Sequence, residues 1–323
     1  LVNSWPLELR FFDTTGGHRV SHLRKGYGPG ELQSAGPLTW IGGDTVTFFD
    51  QSLMRVNWVS ASAGFVRSQR VSRTRLVELL GEDARWERMS VLDDGSVILA
   101  AVNRRELYPM TPGVLRPEYR VLHIDAGLRT ARDLGIRYGT PERFVVEWRR
   151  EIRDIVPPAA YGSLHAVGGA PRRWCFADDA VTAVECFDPG VGRISVRWTQ
   201  PGTPLTEIDV EAWRLGRMRD TAERRRLGPQ TERLLEMVAG KKLKPTMRSL
   251  LIALDGRLLV EAADIGAARP GWRRFRLFTR DGQIEGFVDL PDIRVTEIGD
   301  DYILGVRRIR DDVEQVVIYD LRR

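Results

Sequence analysis

The side chains of this chain that could do more than pack or carry charge are four histidines, two cysteines and a set of recurring aspartates. His18 and His22 lie four apart, and on a strand that spacing puts both on one face. They would offer two ligands to a metal. A catalytic zinc needs three protein ligands and no third stands near them, so the expectation is two exposed strand histidines and no metal. His123 and His165 complete the histidines, and no Gly-x-Ser-x-Gly elbow selects a nucleophile for either. The lack of Cys-x-x-Cys-His excludes a covalently attached haem. Asp13, Asp125, Asp188 and Asp281 could supply carboxylates to a calcium ion. Each sits at a turn, however, where an Asp side chain bonds its own backbone. No catalytic residue and no cofactor are expected from these residues.

Cys175 and Cys186 flank a stretch whose centre is the turn-forming pair Asp178-Asp179, so they could face each other across a hairpin. A disulfide there would fit an oxidising compartment; two buried thiols acting as small apolar side chains is the other reading. The charge of +5 arises from 49 basic against 44 acidic residues, and Lys25, Lys241, Lys242 and Lys244 are the only lysines. Arginine offers a planar fork of donors to phosphates and carboxylates, but here it is dispersed among Asp and Glu, whereas nucleic-acid binding needs a clustered footprint. No run of about 18 apolar residues marks a transmembrane segment. The chain opens on Leu1 with no basic-then-apolar leader, so any signal segment lies outside it.

These residues must be positioned by a repeat, an apolar strand, a tight Gly/Asp turn, a second apolar strand, a third ending near Asp, then Gly and a fourth. The first turn recurs at Gly42-Gly43-Asp44, Asp93-Asp94-Gly95, Asp255-Gly256 and Gly299-Asp300-Asp301, with a looser copy at Gly168-Gly169-Ala170-Pro171. The later turn recurs after Asp13, Trp58, Asp125 and Phe278. Four-stranded antiparallel sheets of this kind cannot bury both faces alone and must stack. The expectation is a single all-β domain over 1–323, a six-bladed β-propeller of four-stranded blades. Its units fall near 7–25, 37–71, 86–135, 161–199, 248–290 and 293–323. The first lacks an opening strand and the last a closing one. An incomplete blade leaves an exposed pairing template, so a segment upstream of Leu1, or a partner's strand, is expected to supply both missing strands.

Two segments break the alternation. Residues 206–247 carry helical spacing at Trp213, Leu215, Met218 and Ala222, then at Leu234, Leu235 and Val238, with Gly240 as a stop. Arg224, Arg225, Arg226, Lys241, Lys242 and Lys244 make this helical insertion the most basic local feature. It reads as a docking surface for an acidic partner or anionic headgroups, or as a solvated helix face. Residues 137–160 read as a short helix through Trp148-Arg149-Arg150-Glu151 and a connector at Pro157-Pro158.

The run Arg24-Lys25-Gly26-Tyr27-Gly28-Pro29-Gly30-Glu31-Leu32 resembles the Gly-x-Gly-Pro-Gly-Glu-Phe signature of bacterial envelope six-bladed propellers related to the NHL-repeat propellers, with Leu32 in place of Phe. Asp292 through Val306 is similar to the last blade of that family. Pro245 through Val260 resembles the approach to the penultimate one, with Leu258-Leu259-Val260 where members often carry Trp. The resemblance implies an exported or lipid-anchored protein on the periplasmic or extracellular face of the envelope. Gly28, Pro29, Gly30 and Glu31 then form a blade-to-blade connection. A phosphate cradle is excluded there, because no helix and no Lys-Ser/Thr pair follow. The functional expectation is a non-enzymatic binding or scaffolding module with protein partners, an accessory subunit of a membrane-bound respiratory or photosynthetic complex, peripherally associated with the membrane. The alternatives are a calcium-dependent lactonase or lyase and a self-assembling structural protein of the envelope.

Overall fold

Tight turns with a residue at positive φ convert alternating strands into hairpins, and the computed structural model shows the chain to be a succession of such hairpins. It describes residues 2–4, 7–13, 15–103, 113–138, 143–148, 151–155, 163–188, 190–200, 202–218, 243–262, 270–309 and 313–321. The first sheet is β1 (Val2–Ser4), β2 (Leu7–Phe12) and β3 (His18–His22). A short parallel pair, β4 (Arg24–Lys25) and β5 (Glu31–Leu32), leads to the second, β6 (Thr39–Gly42), β7 (Thr45–Asp50), β8 (Arg55–Ser60) and β9 (Gly64–Arg70).

Helix α1 (Arg73–Leu80) follows, capped by the Ser72 hydroxyl accepting from the Arg75 N–H and stopped at Gly81, φ +91°. The third sheet orders β10 (Ala84–Val91), β11 (Val97–Asn103), β13 (Glu118–Ile124) and β14 (Ala131–Tyr138). Strands β12 (Gly113–Leu115), β15 (Arg143–Trp148) and β16 (Glu151–Ile155) make a separate small sheet. The fourth sheet is β17 (Ser163–Gly168), β18 (Arg173–Asp178), β19 (Ala183–Asp188) and β20 (Gly192–Arg197). After helix α2 (Glu207–Met218) comes the fifth, β21 (Met247–Ile252), β22 (Leu258–Ala262), β23 (Trp272–Phe278) and β24 (Ile284–Pro291). The last is β25 (Arg294–Ile298), β26 (Tyr302–Arg308) and β27 (Glu314–Asp320).

The class is all-β, built from meander sheets of the β-propeller blade type. The blade count is corrected from six to five. Among the described residues four sheets are complete four-strand meanders, while the first and last sheets have three strands each and do not count as two further blades. The helix expected within 137–160 is also corrected, because Arg143–Trp148 and Glu151–Ile155 pair as the antiparallel strands β15 and β16. Phe144, Val145, Val146 and Trp148 explain this, since β-branched and aromatic residues favour a pleated strand over a helix. The Pro157-Pro158 connector lies outside the described residues.

The chain divides into two compact units, Leu1–Leu107 with Glu118–Arg137, and Tyr108–Pro117 with Tyr138–Arg323. In the first unit Phe49, Val56 and Trp58 of the second sheet pack on Met89, Val91, Leu99 and Leu122 of the third, with Leu76 of α1 among them. In the second unit the fourth sheet gives Val184 and Val196 against Leu250, Leu258 and Val260 of the fifth. The other face of the fifth, Leu259, Phe275 and Leu290, meets Ile298 and Ile303 of the last. Within each unit, then, sheet packs on sheet, which is how a meander buries its second face.

Candidate functional site

The residues singled out for chemistry are spread over the sheets and mostly committed locally. His18 is exposed and bonds the Ser21 hydroxyl at 3.0 Å. His22 is half-buried, a correction to the expectation of two exposed histidines, because its ring bonds the Ala61 carbonyl at 2.8 Å and meets Phe11 edge-on. His123 sits on β13, where burial pushes its imidazole below the usual range against the opposing pull of Asp94. His165 lies on β17 against Phe176 and Trp174. Among the described residues no group of three or more His, Cys, Asp and Glu is arranged to hold a metal ion.

The aspartates serve their turns. Asp13 accepts from the N–H groups of Thr15 and Gly17 at 3.0 and 2.7 Å, and Asp125 from those of Arg129 and Thr130 at 2.8 and 3.1 Å. The Thr15 hydroxyl bond holds the Asp13 carboxyl below its ordinary range, and the Thr130 N–H does the same for Asp125. Asp281 is held low by the Thr279 hydroxyl.

In the Gly28-Pro29-Gly30-Glu31 loop the space a phosphate would need is occupied by the loop's own carboxylate. Glu31 accepts from the Gly28 N–H and from Arg24 Nε, both at 2.9 Å, and the Gly28 bond leads in holding it below the usual carboxylate range. A Cβ at Gly26 would collide with that carboxylate, so the residue must be glycine for the approach to exist. The carbonyls of Gly28 and Glu31 both accept from the Arg55 guanidinium, which is buried at the start of β8.

A second buried arginine, Arg173 at the start of β18, donates to the carbonyls of Gly256 and Arg280 in turns of the next sheet. Arg280 returns the reach, donating to the Pro171 carbonyl at 3.0 Å and to the Asp188 carboxylate. Burial, reinforced by the charge of Arg280, brings Arg173 down to about 10, so it stays protonated at neutral pH. Burial acts most strongly on Asp188 and would raise its carboxyl, but the bond and charge of Arg280 together with the Gly190 and Val191 N–H groups outweigh it, and the net direction is down. Sequence reading missed both arginines, since nothing but the strand-start position after a turn distinguishes them from their exposed neighbours.

Cys175 and Cys186 are directly opposite in register on β18 and β19 and are joined as a disulfide in the buried core. Of the basic group, Arg224, Arg225, Arg226, Lys241 and Lys242 lie outside the described residues, as do Ala222 and the second expected helix. Lys244 is described, and its ammonium bonds Asp209 of α2 at 2.8 Å.

The most exposed chemistry belongs to a strand edge. In each complete meander a fourth strand covers the third: β9 covers β8, β14 covers β13, β20 covers β19 and β24 covers β23. Those outer strands are guarded in the ways natural edges are. Arg67 and Arg70 lie on β9, Arg132, Asp133 and Arg137 on β14, Arg193 and Arg197 on β20, and Glu285, Asp289 and Pro291 on β24. Strand β27 is a third strand, and among the described residues nothing pairs with its outer side. Its centre, Gln315-Val316-Val317-Ile318-Tyr319, carries no charge and no proline. Val317 and Tyr319 turn to the core, while Val316 and Ile318 are 47% and 56% exposed.

No family model matches the chain and no curated protein matches it. Solved structures do align along its length. A DUF4221-family member from Bacteroides vulgatus aligns at 10% identity and a TM-score of 0.47, over 98% of this chain and 87% of that one. Virginiamycin B lyase from Staphylococcus aureus aligns at 10% and 0.35, over 96% and 76%. A calcium-binding protein, regucalcin, from Agrobacterium tumefaciens aligns at 10% and 0.30, over 87% and 85%. At such values the likeness carries no argument, and the assignment to propeller-type sheets stands on the meanders themselves.

Proposed function

We propose that this chain is a non-enzymatic binding module on the extracytoplasmic side of a bacterial envelope, holding a partner protein by accepting an extended segment of it along β27. The observation that carries the reading is a third strand whose outer side pairs with nothing among the described residues. Its outward N–H and C=O groups offer main-chain bonds, Val316 and Ile318 offer apolar contact on one face, and its charges, Glu314 and Asp320, stand only at its two ends. The partner segment is expected to alternate apolar and polar residues, and a membrane-bound assembly is the setting in which such a module stabilises a complex. The disulfide between Cys175 and Cys186 supports an oxidising compartment. The calcium-dependent lactonase or lyase is less well supported, since Asp13, Asp125, Asp188 and Asp281 are each bonded within their own turns or to Arg280.

The test compares the wild type with Val316→Lys/Ile318→Lys, each purified from detergent-solubilised native membranes and characterised by mass spectrometry. A stoichiometric partner retained by the wild type and lost from the variant, with circular dichroism unchanged, is the expected result. Full retention by the variant defeats the reading. A concentration-dependent dimer of the wild type that the same lysines abolish would place a second copy of this chain on the edge instead of a partner.

A further inference from the structure

Strand β24 turns one face toward the last sheet. Val288 and Leu290 on that face pack with Ile298 and Ile303, and beside them lies a cavity of about 290 Å³. Its wall is mainly aliphatic, with Leu259, Leu277, Val288, Leu290, Ile298 and Leu321 in it, and Arg257 and Asp300 are its charged members. Gly286 lies on the same face of β24, opposite Leu277 in register, and a Cβ there would meet nothing within 4 Å. Aliphatic side chains left without neighbours forfeit packing in proportion to the empty volume.

The preceding interface shows what fills such a space. There the fourth strand β20 sends Val196, 2% exposed, and Ile194 into the cluster of Leu250, Leu258 and Phe278 on the fifth sheet. The packing is closed: a Cβ added at Gly282 would come within 2.8 Å of the Val196 side chain. Between the fifth and last sheets the described residues supply a fourth strand from one side only, β24, and β27 has no outer neighbour among them. The cavity thus lies where the side chains of a fourth strand on the last sheet would belong. Leu321 fixes the register. One residue past β27, its N–H still bonds the Asp301 carbonyl at 2.7 Å, and its side chain lines the cavity. Residues directly opposite on neighbouring strands share a face, so an incoming residue opposite Leu321 points its side chain the same way.

We infer that the segment accepted along β27 carries one large apolar side chain, that of Leu, Met or Phe, and that this side chain enters the cavity as the anchor that selects the partner. The anchor presupposes β27 as the accepting edge and adds what that edge selects. Main-chain bonds hold any extended segment alike, so selection falls to pockets for side chains. A cavity of about 150 Å³ takes benzene, so the space here admits one such side chain whole, and an aliphatic wall favours apolar surface over polar.

The experiment selects displayed random peptides of about eight residues, a strand's length, against the full chain, and synthesises the selected sequences with their large apolar residue intact or replaced by Ala. Hydrogen exchange of the Gln315 to Tyr319 amides reports the edge, and the methyls of Leu277, Val288 and Leu290 report the cavity. The selected peptides are expected to share one Leu, Met or Phe, to shift those methyls and to protect the β27 amides. They should bind about tenfold or more tighter than their Ala forms, the scale of burying about three carbon-sized groups. Val288→Phe, which fills the cavity from β24, should narrow that ratio; Val288→Met, a milder change, should narrow it less and guards against misfolding of the first. Peptides that protect β27 with no preference for a large apolar residue overturn the anchor and leave the edge standing. A preference unaltered in both variants, or methyls that stay unshifted, places the side chain elsewhere and overturns the anchor as well. If no peptide protects the β27 amides, the accepting edge falls and the anchor falls with it.

Discussion

Arg55 in the first unit and Arg173 in the second do similar chemistry on different scales. Both are buried at the first position of a strand, and both spend their guanidinium on main-chain carbonyls. Arg55 reaches 24 and 27 residues back, to the loop that precedes its own sheet. Arg173 reaches 83 and 107 residues forward, to two turns of the neighbouring sheet, and Arg280 reaches back. The first arginine shapes a connector, and the second fastens two sheets. The difference teaches that a buried charge is placed where backbone polar groups converge without strand partners, whatever their distance in sequence.

Removing each arginine is the most direct way to break the comparison. Arg173→Ala should cost about 3–5 kcal/mol in urea unfolding, since it leaves the Gly256 and Arg280 main-chain carbonyls without their donor in a buried setting, at about 1–3 kcal/mol each. Arg55→Ala should cost less, about 2–3 kcal/mol, because its loop can move toward water and solvate the freed carbonyls. Equal losses would erase the distinction drawn here. Replacing both Cys175 and Cys186 by Ala should destabilise by about 2–3 kcal/mol through the closed loop they define. Measured alongside Arg173→Ala, it tells whether the fourth sheet is held mainly from within or from its neighbour.

The smallest effect sharpens the electrostatic side. Asp44 in the first unit accepts from the hydroxyls of Ser62 and Ser60 and the Ser62 N–H, and the Ser62 hydroxyl leads in bringing its pKa down to about 2. A carboxyl depressed in the folded state adds stability above its unfolded value near 3.8, and that contribution is lost as pH falls through about 2. The melting temperature of Asp44→Asn should therefore lie below that of the wild type above pH 4 and converge with it toward pH 2. A constant offset across that range would assign the Asp44 contribution to geometry and not to charge.

The sheets were legible because their turns are written in residues with few alternative uses. Gly43, Gly95, Gly256 and Gly282 all stand at positive φ where a hairpin reverses, and the alternation beside them fixes which face is buried. The blade count was not legible, because an apolar strand reads the same whether or not a fourth strand joins its sheet. The 137–160 segment misled for a related reason: Trp148 to Glu151 is too short to distinguish periods of 2 and 3.6, and the β-branched run before it decided the outcome. Helix α1 falls between the units read at 37–71 and 86–135, and its Ser72 cap is the sequence signal that marks it. Of the docking edge, a last unit of three strands was expected from the sequence, but the uncharged centre of β27 becomes informative only beside the charges on β9, β14, β20 and β24.

One detail at the foot of α2 has a wider reach. Pro204 and Leu243 form an isolated bridge, the Lys244 N–H bonds the Thr203 carbonyl at 2.8 Å, and the Lys244 ammonium holds Asp209. The chain thus leaves the fourth sheet and enters the fifth through a stapled stem, so the 38 intervening positions, 205–242, hang from a clasp that belongs to the sheets. Lineages can lengthen, shorten or exchange what the clasp carries without renegotiating the strands on either side, which makes this stretch a natural socket for acquired specificity and a ready place to graft a foreign loop.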